Sequence, residues 1–427
     1  MAISVYSEIG RLRVVLAHTP GREVDRMPPS MMEDLLFDDI LHGPRARAEH
    51  RRMCAVMEGF GVEVLDLAVL LAEALEAAPE GRAALLEAVA AQEGCEPALL
   101  EQLRAMAPGR LAEALVEGIE VLPPAARPEH LFELPPLPNL LFSRDAQVAL
   151  GSGLVIANMR RRARRREPLL ARFVFRHHPR WRETPVVLDL LGGEREGAYP
   201  MAPQPSLEGG DVLVLREGVV VCGVSERTME RAVDRLVDAL RGDARLHTLV
   251  MVPMPRTRAA MHLDTIFTRT AEDQCLVYGP MIVGPGPETL SAIRIDLRDP
   301  NDWGRRCPSL LAALRAVGVE LEPILCGGRD DYIAQAREQW TDGANCFALA
   351  PGLVLLYQRN DRTAEQLARA GYHVLDESEL PFDPETGACR YSFQPGKRYA
   401  VLLPGEELSR ARGGPRCMTM PLEREPV

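Results

Sequence analysis

The segment Gly210-Asp-Val-Leu-Val-Leu-Arg-Glu-Gly-Val-Val-Val-Cys222 contains two apolar runs joined by a short glycine-bearing turn. Runs of this length and composition predict two buried β-strands in a hairpin. A polar residue, Asp211, stands at the start of the first strand. The same order of polar residue, strand, turn and strand recurs in residues 144–157, 264–279 and 343–357. This internal repeat predicts that one supersecondary unit is used several times along the chain.

The N-terminal region supplies a related unit. Residues Ser7–His18 predict a buried strand, residues Arg45–Phe60 a helix and residues Val62–Asp66 a second strand. A later helix is predicted to begin at Thr363, because Thr363 and Gln366 match the pattern of a capping box. Together these units predict an α/β protein of five ββαβ modules. Because equivalent strand starts in such repeats face one axis, their polar residues should converge.

Residues 67–130 differ in composition and periodicity: alanine, leucine and glutamate recur at helical spacing, and proline and glycine separate the runs. This pattern predicts an inserted helical domain without chemically reactive groups. The predicted organisation is therefore a first module in residues 1–66, the insertion in residues 67–130, and the remaining modules with a C-terminal cysteine loop in residues 131–427.

Composition excludes several classes of function. The 427-residue chain has a net charge of −11, which argues against nucleic-acid binding despite the arginine run in residues 160–166. Its only lysine, Lys397, lies in no phosphate-binding loop, which argues against nucleotide and pyridoxal chemistry, and we expect no cofactor. The nine cysteines form no C-x-x-C pair, which disfavours disulfides and a zinc site and predicts a cytoplasmic location and no bound metal. No signal peptide or membrane span is predicted. We expect a homo-oligomer.

The C-terminal stretch Leu408-Ser-Arg-Ala-Arg-Gly-Gly-Pro-Arg-Cys-Met-Thr-Met-Pro421 carries the candidate nucleophile, Cys417. Gly413 and Gly414 allow close approach of the backbone to a ligand, and the arginines at positions 412 and 416 could favour the thiolate. Taken alone, such a cysteine is more often a small core residue beside a turn.

Further polar residues stand at the predicted strand starts. One histidine, several carboxylates and one cysteine would share a cavity if the modules converge. The His262-Leu-Asp264 spacing places two of these side chains on one face of a strand. Each has an alternative as a turn cap or a core histidine. The set comprises Asn139, Asp145, Glu208, Asp211, His262, Asp264 and Cys417.

Five motifs in order carry a family resemblance: Leu-Pro-Asn-Leu-Leu-Phe-Ser-Arg-Asp145, Leu-Glu-Gly-Gly-Asp211, Gly-Val-Ser-Glu-Arg-Thr228, Met-His-Leu-Asp-Thr265 and Arg-Gly-Gly-Pro-Arg-Cys-Met-Thr-Met-Pro421. The chain resembles arginine deiminases of the guanidine-modifying superfamily. The resemblance implies a five-bladed, pseudo-symmetric α/β propeller (pentein) with an inserted helical domain. It also implies hydrolysis of L-arginine by water to L-citrulline and ammonia, through a covalent amidino-cysteine and without metal or organic cofactor.

The resemblance assigns roles by position. Cys417 matches the nucleophile and His262 the general acid and base, while the carboxylates Asp145, Glu208 and Asp264 match groups that hold the guanidinium or the histidine. The residues matched to the amino-acid end of the substrate are Asn139, Arg164, Arg227 and Arg412. A carboxylate set of this kind suits a guanidinium, which is always charged and is a poor electrophile until it is oriented.

Two alternatives remain open from the sequence, and two features depart from the family pattern. An amidinotransferase would use the same intermediate and pass it to an amine, and a catalytically silent arginine-binding protein would need no nucleophile. The segment Phe382–Pro404 is longer than in most relatives, and Ala411 stands where many have glycine. Both departures are expected to affect loop closure or substrate range.

Overall fold

The computed structural model describes all residues except 1–2, 122–130, 193–204, 285, 384, 392 and 395. The strands are β1 Leu12–Ala17, β2 Glu63–Asp66, β3 Ile119–Glu120, β4 Phe132–Leu134, β5 Gln147–Leu150, β6 Gly153–Ile156, β7 Val186–Asp189, β8 Val212–Arg216, β9 Gly218–Val224, β10 Leu246–Pro253, β11 Phe267–Arg269, β12 Gln274–Val277, β13 Ala292–Asp296, β14 Arg305–Cys307, β15 Glu322–Leu325, β16 Phe347–Ala350, β17 Leu353–Tyr357, β18 Tyr372–Asp376, β19 Arg398–Leu403 and β20 Met420–Arg424. The helices are α1 Arg22–Asp25, α2 Gly43–Gly59, α3 Leu67–Ala77, α4 Arg82–Glu93, α5 Pro97–Arg104, α6 Pro108–Glu117, α7 Arg166–His177, α8 Glu230–Leu240, α9 Gly279–Ile282, α10 Leu310–Arg315, α11 Tyr332–Trp340 and α12 Asp361–Arg369.

Five of the sheets share one strand arrangement. In each, two antiparallel strands form a pair and a third strand lies parallel to the second strand of that pair. One or more helices cross over between the second and third strands, as a parallel connection requires. The five sets are β20–β1–β2, β5–β6–β7, β8–β9–β10, β11–β12–β15 and β16–β17–β19. The repeat predicted from the sequence therefore corresponds to an α/β chain with a recurring ββαβ unit.

Two sheets contain strands beyond the repeated three. The hairpin β13–β14 follows β12 in the chain but pairs with β10, so it extends the sheet of the preceding unit. In the last unit, β18 precedes β19 in the chain but lies outside it at the sheet edge. Sequence order alone did not indicate either placement.

The predicted capping box at the start of α12 is wrong. The helix begins at Asp361, and Thr363 lies inside it. The hydroxyl of Thr363 instead donates to Glu338 Oε2 at 2.6 Å and accepts the backbone N–H of Gly327 at 2.9 Å. Tertiary partners therefore take the hydroxyl that a cap would have used.

Helices α3 to α6 occupy residues 67–117, where the sequence predicted the insertion. Asp66 caps α3 by accepting the N–H of Ala68 at 2.8 Å. Its apolar face, including Leu71 and Leu75, is fully buried in the largest hydrophobic cluster. Residues 122–130 of the predicted insertion lie outside the described residues, and the domain boundaries stay a prediction.

The segment Phe382–Pro404 packs against α2 and includes β19. The N–H of Cys389 donates to the carbonyl of Gly59 at 2.8 Å. The ring of Phe393 lies 4.8 Å from that of Phe60, between centroids. Pro384, Ser392 and Pro395 in this segment lie outside the described residues.

No helix in the described part of the chain combines the length and the apolar composition needed to cross a bilayer.

Candidate active site

A narrow cavity of about 20 Å³ lies where short 3-10 turns lead into the first strands of the repeated units. The turns belong to residues 138–141, 209–211 and 263–265, and the C-terminal turn at 408–411 closes the cavity from the side of β20. Seven of the nine predicted site residues line the cavity: Asn139, Asp145, Arg164, Arg227, His262, Arg412 and Cys417. The other two are fully buried: Glu208 contacts His262, and Asp264 contacts Cys417.

The surroundings of Cys417 are set by Asp264 and Asn345. The Sγ atom of Cys417 lies 3.7 Å from Asp264 Oδ2, and its backbone N–H donates to Asn345 Oδ1 at 3.0 Å. Asp264 Oδ2 also accepts Arg416 Nη1 at 2.7 Å. The second carboxylate oxygen, Oδ1, is buried and has no hydrogen-bond partner among the described residues. An unpaired carboxylate oxygen beside a thiol is ready to accept a donor from a ligand.

Arg416 is held entirely by protein groups. Its Nε and Nη2 donate to the two oxygens of Glu8 at 3.0 and 3.1 Å, and Nη2 also donates to the carbonyl of Val212 at 3.1 Å. Such a two-pronged carboxylate pair fixes the plane of the guanidinium. Glu8 therefore orients Arg416, which in turn orients Asp264 beside the sulfur.

The expected stabilisation of a thiolate by Arg412 and Arg416 is not found without a ligand. Burial, followed by the carboxylates Asp264, Asp145 and Asp342, raises the pKa of the Cys417 thiol well above its ordinary value, and Arg416 opposes this only weakly. Arg416 is already neutralised by Glu8 and Asp264, so little of its charge remains for the sulfur.

His262 is bound by carboxylates on two sides. Its Nε2 lies 2.9 Å from Glu208 Oε2, and its Nδ1 lies 3.7 Å from Asp145 Oδ1. Burial alone would lower the pKa of this imidazole, but the charges of Asp145, Glu208 and Asp211 outweigh burial and raise the pKa to about 9. The ring therefore carries a proton at neutral pH. Gly210 is required beside it, since a Cβ there would lie 2.6 Å from His262 Nδ1.

Glu208 is the buried counterion of the His262 imidazolium. Burial would raise its pKa, but Arg227, His262 and Arg164 outweigh burial and lower the pKa of Glu208 to about 2. Its Oε1 accepts the backbone N–H of Arg160 at 3.0 Å, which fixes the carboxylate on the arginine-rich segment. Arg160, one member of the arginine run, thus positions Glu208 through its backbone alone.

Three of the four arginines that line the cavity were predicted from the sequence, and they differ in their pairing; the fourth, Arg258, is paired with Asp38 at 2.7 Å. Arg164 is bound by Asp145 Oδ2 at 2.6 Å and by Glu167 Oε2 at 2.8 Å. Arg227 Nη1 lies 3.5 Å from Glu208 Oε2. Arg412, which has a positive φ of 67°, has Nε and Nη1 atoms that are buried without hydrogen-bond partners among the described residues. Among the described residues Arg412 thus has two donors left over for a ligand, whereas Arg227 has one, its Nε.

Asn139 and Gly413 shape the rest of the cavity. The amide of Asn139 donates to the carbonyl of Leu35 at 2.7 Å, which ties the loop after α1 to the cavity wall. A Cβ at Gly413 would lie 2.2 Å from the ring of Phe142, so only glycine fits there. Ala411 lines the cavity, whereas no described residue of the segment Phe382–Pro404 does.

The sequence model of the arginine deiminase family matches residues 33–424. Arginine deiminase from Clostridium perfringens is 35% identical over 99% of this chain and 98% of its own length, and arginine deiminase from Mycobacterium avium is 36% identical over the same shares. The chain belongs to the arginine deiminase family.

Solved structures agree with this membership at the level of the fold. An amidinotransferase from Microseira wollei has a TM-score of 0.51 at 12% identity, covering 100% of this chain and 98% of that chain. The N-terminal domain of a cyanobacterial arginine dihydrolase has a TM-score of 0.51 at 13% identity, covering 96% of this chain and 97% of that chain. At these identities the likeness concerns the α/β fold alone.

In this member of the arginine deiminase family, two site residues escaped the sequence predictions. Asn345 could have been found, because it stands at the start of the fourth repeat and its Nδ2 also donates to the carbonyl of Asp264 at 3.1 Å. Glu8 gave no local signal, because it precedes β1 and meets Arg416 only through the tertiary fold.

One carboxylate and histidine cluster in this deiminase-family chain has metal-like spacing. The ligand atoms of Asp145, Glu208 and His262 lie within 4.8 Å of one another. Arg164 already donates to Asp145, and Arg227 and His262 already neutralise Glu208. The negative charge of the cluster is therefore met by guanidinium and imidazolium groups of the chain itself.

Proposed function

We propose that this chain hydrolyses L-arginine with water to L-citrulline and ammonia through an amidino-cysteine on Cys417. The observation that carries this proposal is the Cys417 sulfur 3.7 Å from Asp264, whose Oδ1 is buried and unpaired. A guanidinium supplies N–H donors to that oxygen and an electrophilic carbon beside the sulfur in one planar group. Membership of the arginine deiminase family supports the same reaction.

Substrate binding would complete the charge balance around the nucleophile. The thiol of the free protein has a raised pKa because burial and three carboxylates disfavour the anion. A substrate guanidinium placed against Asp145 and Asp264 adds a positive charge there and favours loss of the thiol proton. The thiolate would then form only when the substrate is in place, which protects an otherwise reactive sulfur.

His262 is suited to both proton transfers. Its imidazolium would donate a proton to the departing nitrogen, so that the C–N bond breaks and ammonia leaves. The C–S bond then holds the amidino carbon, which is still bonded through its remaining nitrogen to the amino-acid chain of the substrate. The neutral imidazole would then take a proton from water, and the resulting hydroxide attacks the same carbon. Breaking the C–S bond returns the thiolate and releases citrulline. Such acid and base catalysis contributes roughly 10² to 10⁴ in rate.

The amino-acid end of the substrate would bind at the opposite end of the cavity. Arg412 offers two donors without partners among the described residues, and Arg227 and Asn139 line the same cavity. Arg164 is already committed to Asp145 and Glu167, so in this state it serves more directly to position Asp145. Its assigned contact with the substrate carboxylate would need a change of partners.

We further infer that the five similar sheets surround one axis as a five-bladed propeller, with helices α3 to α6 as the inserted domain. The shared strand arrangement and the meeting of the strand-start turns at one cavity support this. All nine cysteines lie in the described part of the chain and have free thiols, which fits the expected cytoplasmic setting. Self-association into a homo-oligomer stays a prediction.

The decisive experiment incubates the protein with arginine alone and measures all products. Hydrolysis predicts citrulline and ammonia in equal amounts, no ornithine, and a rate that glycine or another amine leaves unchanged. Acid-quenched samples should show on Cys417, by mass spectrometry, the mass of arginine less ammonia, whereas an unsubstituted amidino group would mean that ornithine had left first. Ornithine released only with an added amine would make the chain an amidinotransferase, and binding without turnover would make it a silent arginine-binding protein.

A further inference from the structure

Arg412 stacks on an indole ring that belongs to a different element. The guanidinium carbon of Arg412 lies 3.3 Å from the ring centroid of Trp340, the last residue of α11. Arg412 is 6% exposed, whereas Trp340 is 41% exposed at the end of a helix on the surface. A partly exposed tryptophan in van der Waals contact with a cavity arginine requires an explanation beyond core packing.

In this stack the flat face of the guanidinium and its N–H groups have different surroundings. A stacked arginine gives its flat face to the ring, and its N–H groups point outward in the plane of the guanidinium. The indole ring of Trp340 therefore contacts the charged, flat face of the Arg412 guanidinium but none of its N–H donors. In agreement, Nε and Nη1 of Arg412 have no hydrogen-bond partner among the described residues, although both are buried.

No carboxylate in the described part of the chain takes these donors. Asp342, two residues after Trp340, attracts Arg412 through its charge but accepts no hydrogen bond from its Nε or Nη1 among the described residues. Burial raises the pKa of Asp342 to about 7, so this carboxyl is only partly ionised near neutral pH. The backbone of Arg412 is held at a φ of 67°, which limits the directions its side chain can take.

We propose that Trp340 is a positioning residue that holds the guanidinium of Arg412 by its face and leaves the N–H edge free for the substrate carboxylate. This rests on the proposed arginine deiminase function. The carboxylate can then bind without breaking the stack, so the ordering cost of Arg412 is met before the substrate arrives. Trp340 thereby contributes to the choice of an amino acid over a substrate that has a guanidinium but no carboxylate.

The test compares arginine with agmatine, which lacks the carboxylate, in Trp340→Leu and Trp340→Phe. Loss of the aromatic face in Trp340→Leu should raise the KM for arginine roughly 3- to 30-fold, as expected for a cation–π contact of this kind. The KM for agmatine and the kcat for both substrates should stay within about twofold. Trp340→Phe keeps an aromatic face and should recover most of the arginine affinity, even if the leucine variant folds poorly.

Trp303 provides the matched control. It is 93% exposed and lies outside the cavity, so Trp303→Leu should leave both substrates unchanged. The chain has three tryptophans. Arginine binding to Cys417→Ala should change indole fluorescence, agmatine should not, and the change should disappear when Trp340→Phe is added.

The outcomes separate this inference from the proposed function. Equal rises in KM for arginine and agmatine, or no change for either, would overturn the role of Trp340 while arginine hydrolysis stands. Failure of the unsubstituted protein to hydrolyse arginine would instead remove the proposed function.

Discussion

The two arginines on either side of Gly413-Gly414 have opposite surroundings. Arg416 is fully buried, with its charge paired to Glu8 and Asp264 and further fixed by a backbone carbonyl. Arg412, four positions earlier, rests on a ring face and has two unpaired donors. One loop thus combines a cation that builds the site with a cation kept available for a ligand. The same residue type serves both purposes because the partners differ.

The largest expected effect is the loss of turnover when the nucleophile is removed and the rest of the loop is kept. Cys417→Ala should lower kcat for arginine by roughly 10⁴-fold or more, because no covalent intermediate can form. Arginine should still bind, since both flanking arginines and the carboxylates remain. Calorimetry and product assays check the two parts, with Cys307→Ala, far from the cavity, as the matched control. Near-normal turnover in Cys417→Ala would rule out the covalent route.

The comparison of the two arginines predicts a large difference in stability. Arg416→Met removes the cation that is paired directly with both buried carboxylates, Glu8 and Asp264, and should lower the free energy of unfolding by about 3–5 kcal/mol. Arg412→Met removes no hydrogen bond made by Nε or Nη1 and should change it by about 1 kcal/mol or less. Urea unfolding of both variants gives the result directly. Similar losses for the two would erase the distinction drawn between them.

Arg412, whose loss should cost little stability, should in contrast matter most for the choice between arginine and agmatine. Arg412→Ala should lower kcat/KM for arginine roughly 10²-fold, as expected when a charged pair with a carboxylate is lost, and should affect agmatine much less. Steady-state kinetics with both substrates measure the ratio. If agmatine suffers as much as arginine, Arg412 serves the shape of the loop and does not recognise the carboxylate.

A smaller effect concerns pH. The carboxylates around His262 raise its pKa to about 9, so the imidazolium needed for ammonia release is present below that pH and is lost above it. The rate should therefore fall as pH rises through about 9. Glu208→Gln removes one of the carboxylates that raise this pKa, so the fall should begin at lower pH. The exposed Glu320→Gln is the control. An alkaline limit that stays in place would mean that another group sets it.

The sequence predicted the parts of the site that depend on local pattern. Residues at strand starts, such as His262 and Asp145, could be placed because the alternation of strands and the repeat fix where such side chains point. The ionisation of Cys417 could not be predicted from its neighbours in sequence, since burial and Asp264 decide it. Glu8 was missed because its partner lies 408 positions away. The cap assigned to Thr363 failed for a similar reason, since Glu338 and Gly327 are tertiary partners.

The pairing of β20 with β1 has a consequence for how the protein is made. Leu16 lies opposite Met420, so a strand formed early in synthesis waits for one translated some 400 residues later. Cys417 stands three residues before β20, in the turn that this pairing fixes. A ribosome must therefore release nearly the whole chain before the sulfur reaches its carboxylate. Proteolytic clipping within residues 418–424 would expose the edge of β1 and displace the nucleophile together, so a damaged chain would be inactive as soon as it became prone to aggregation.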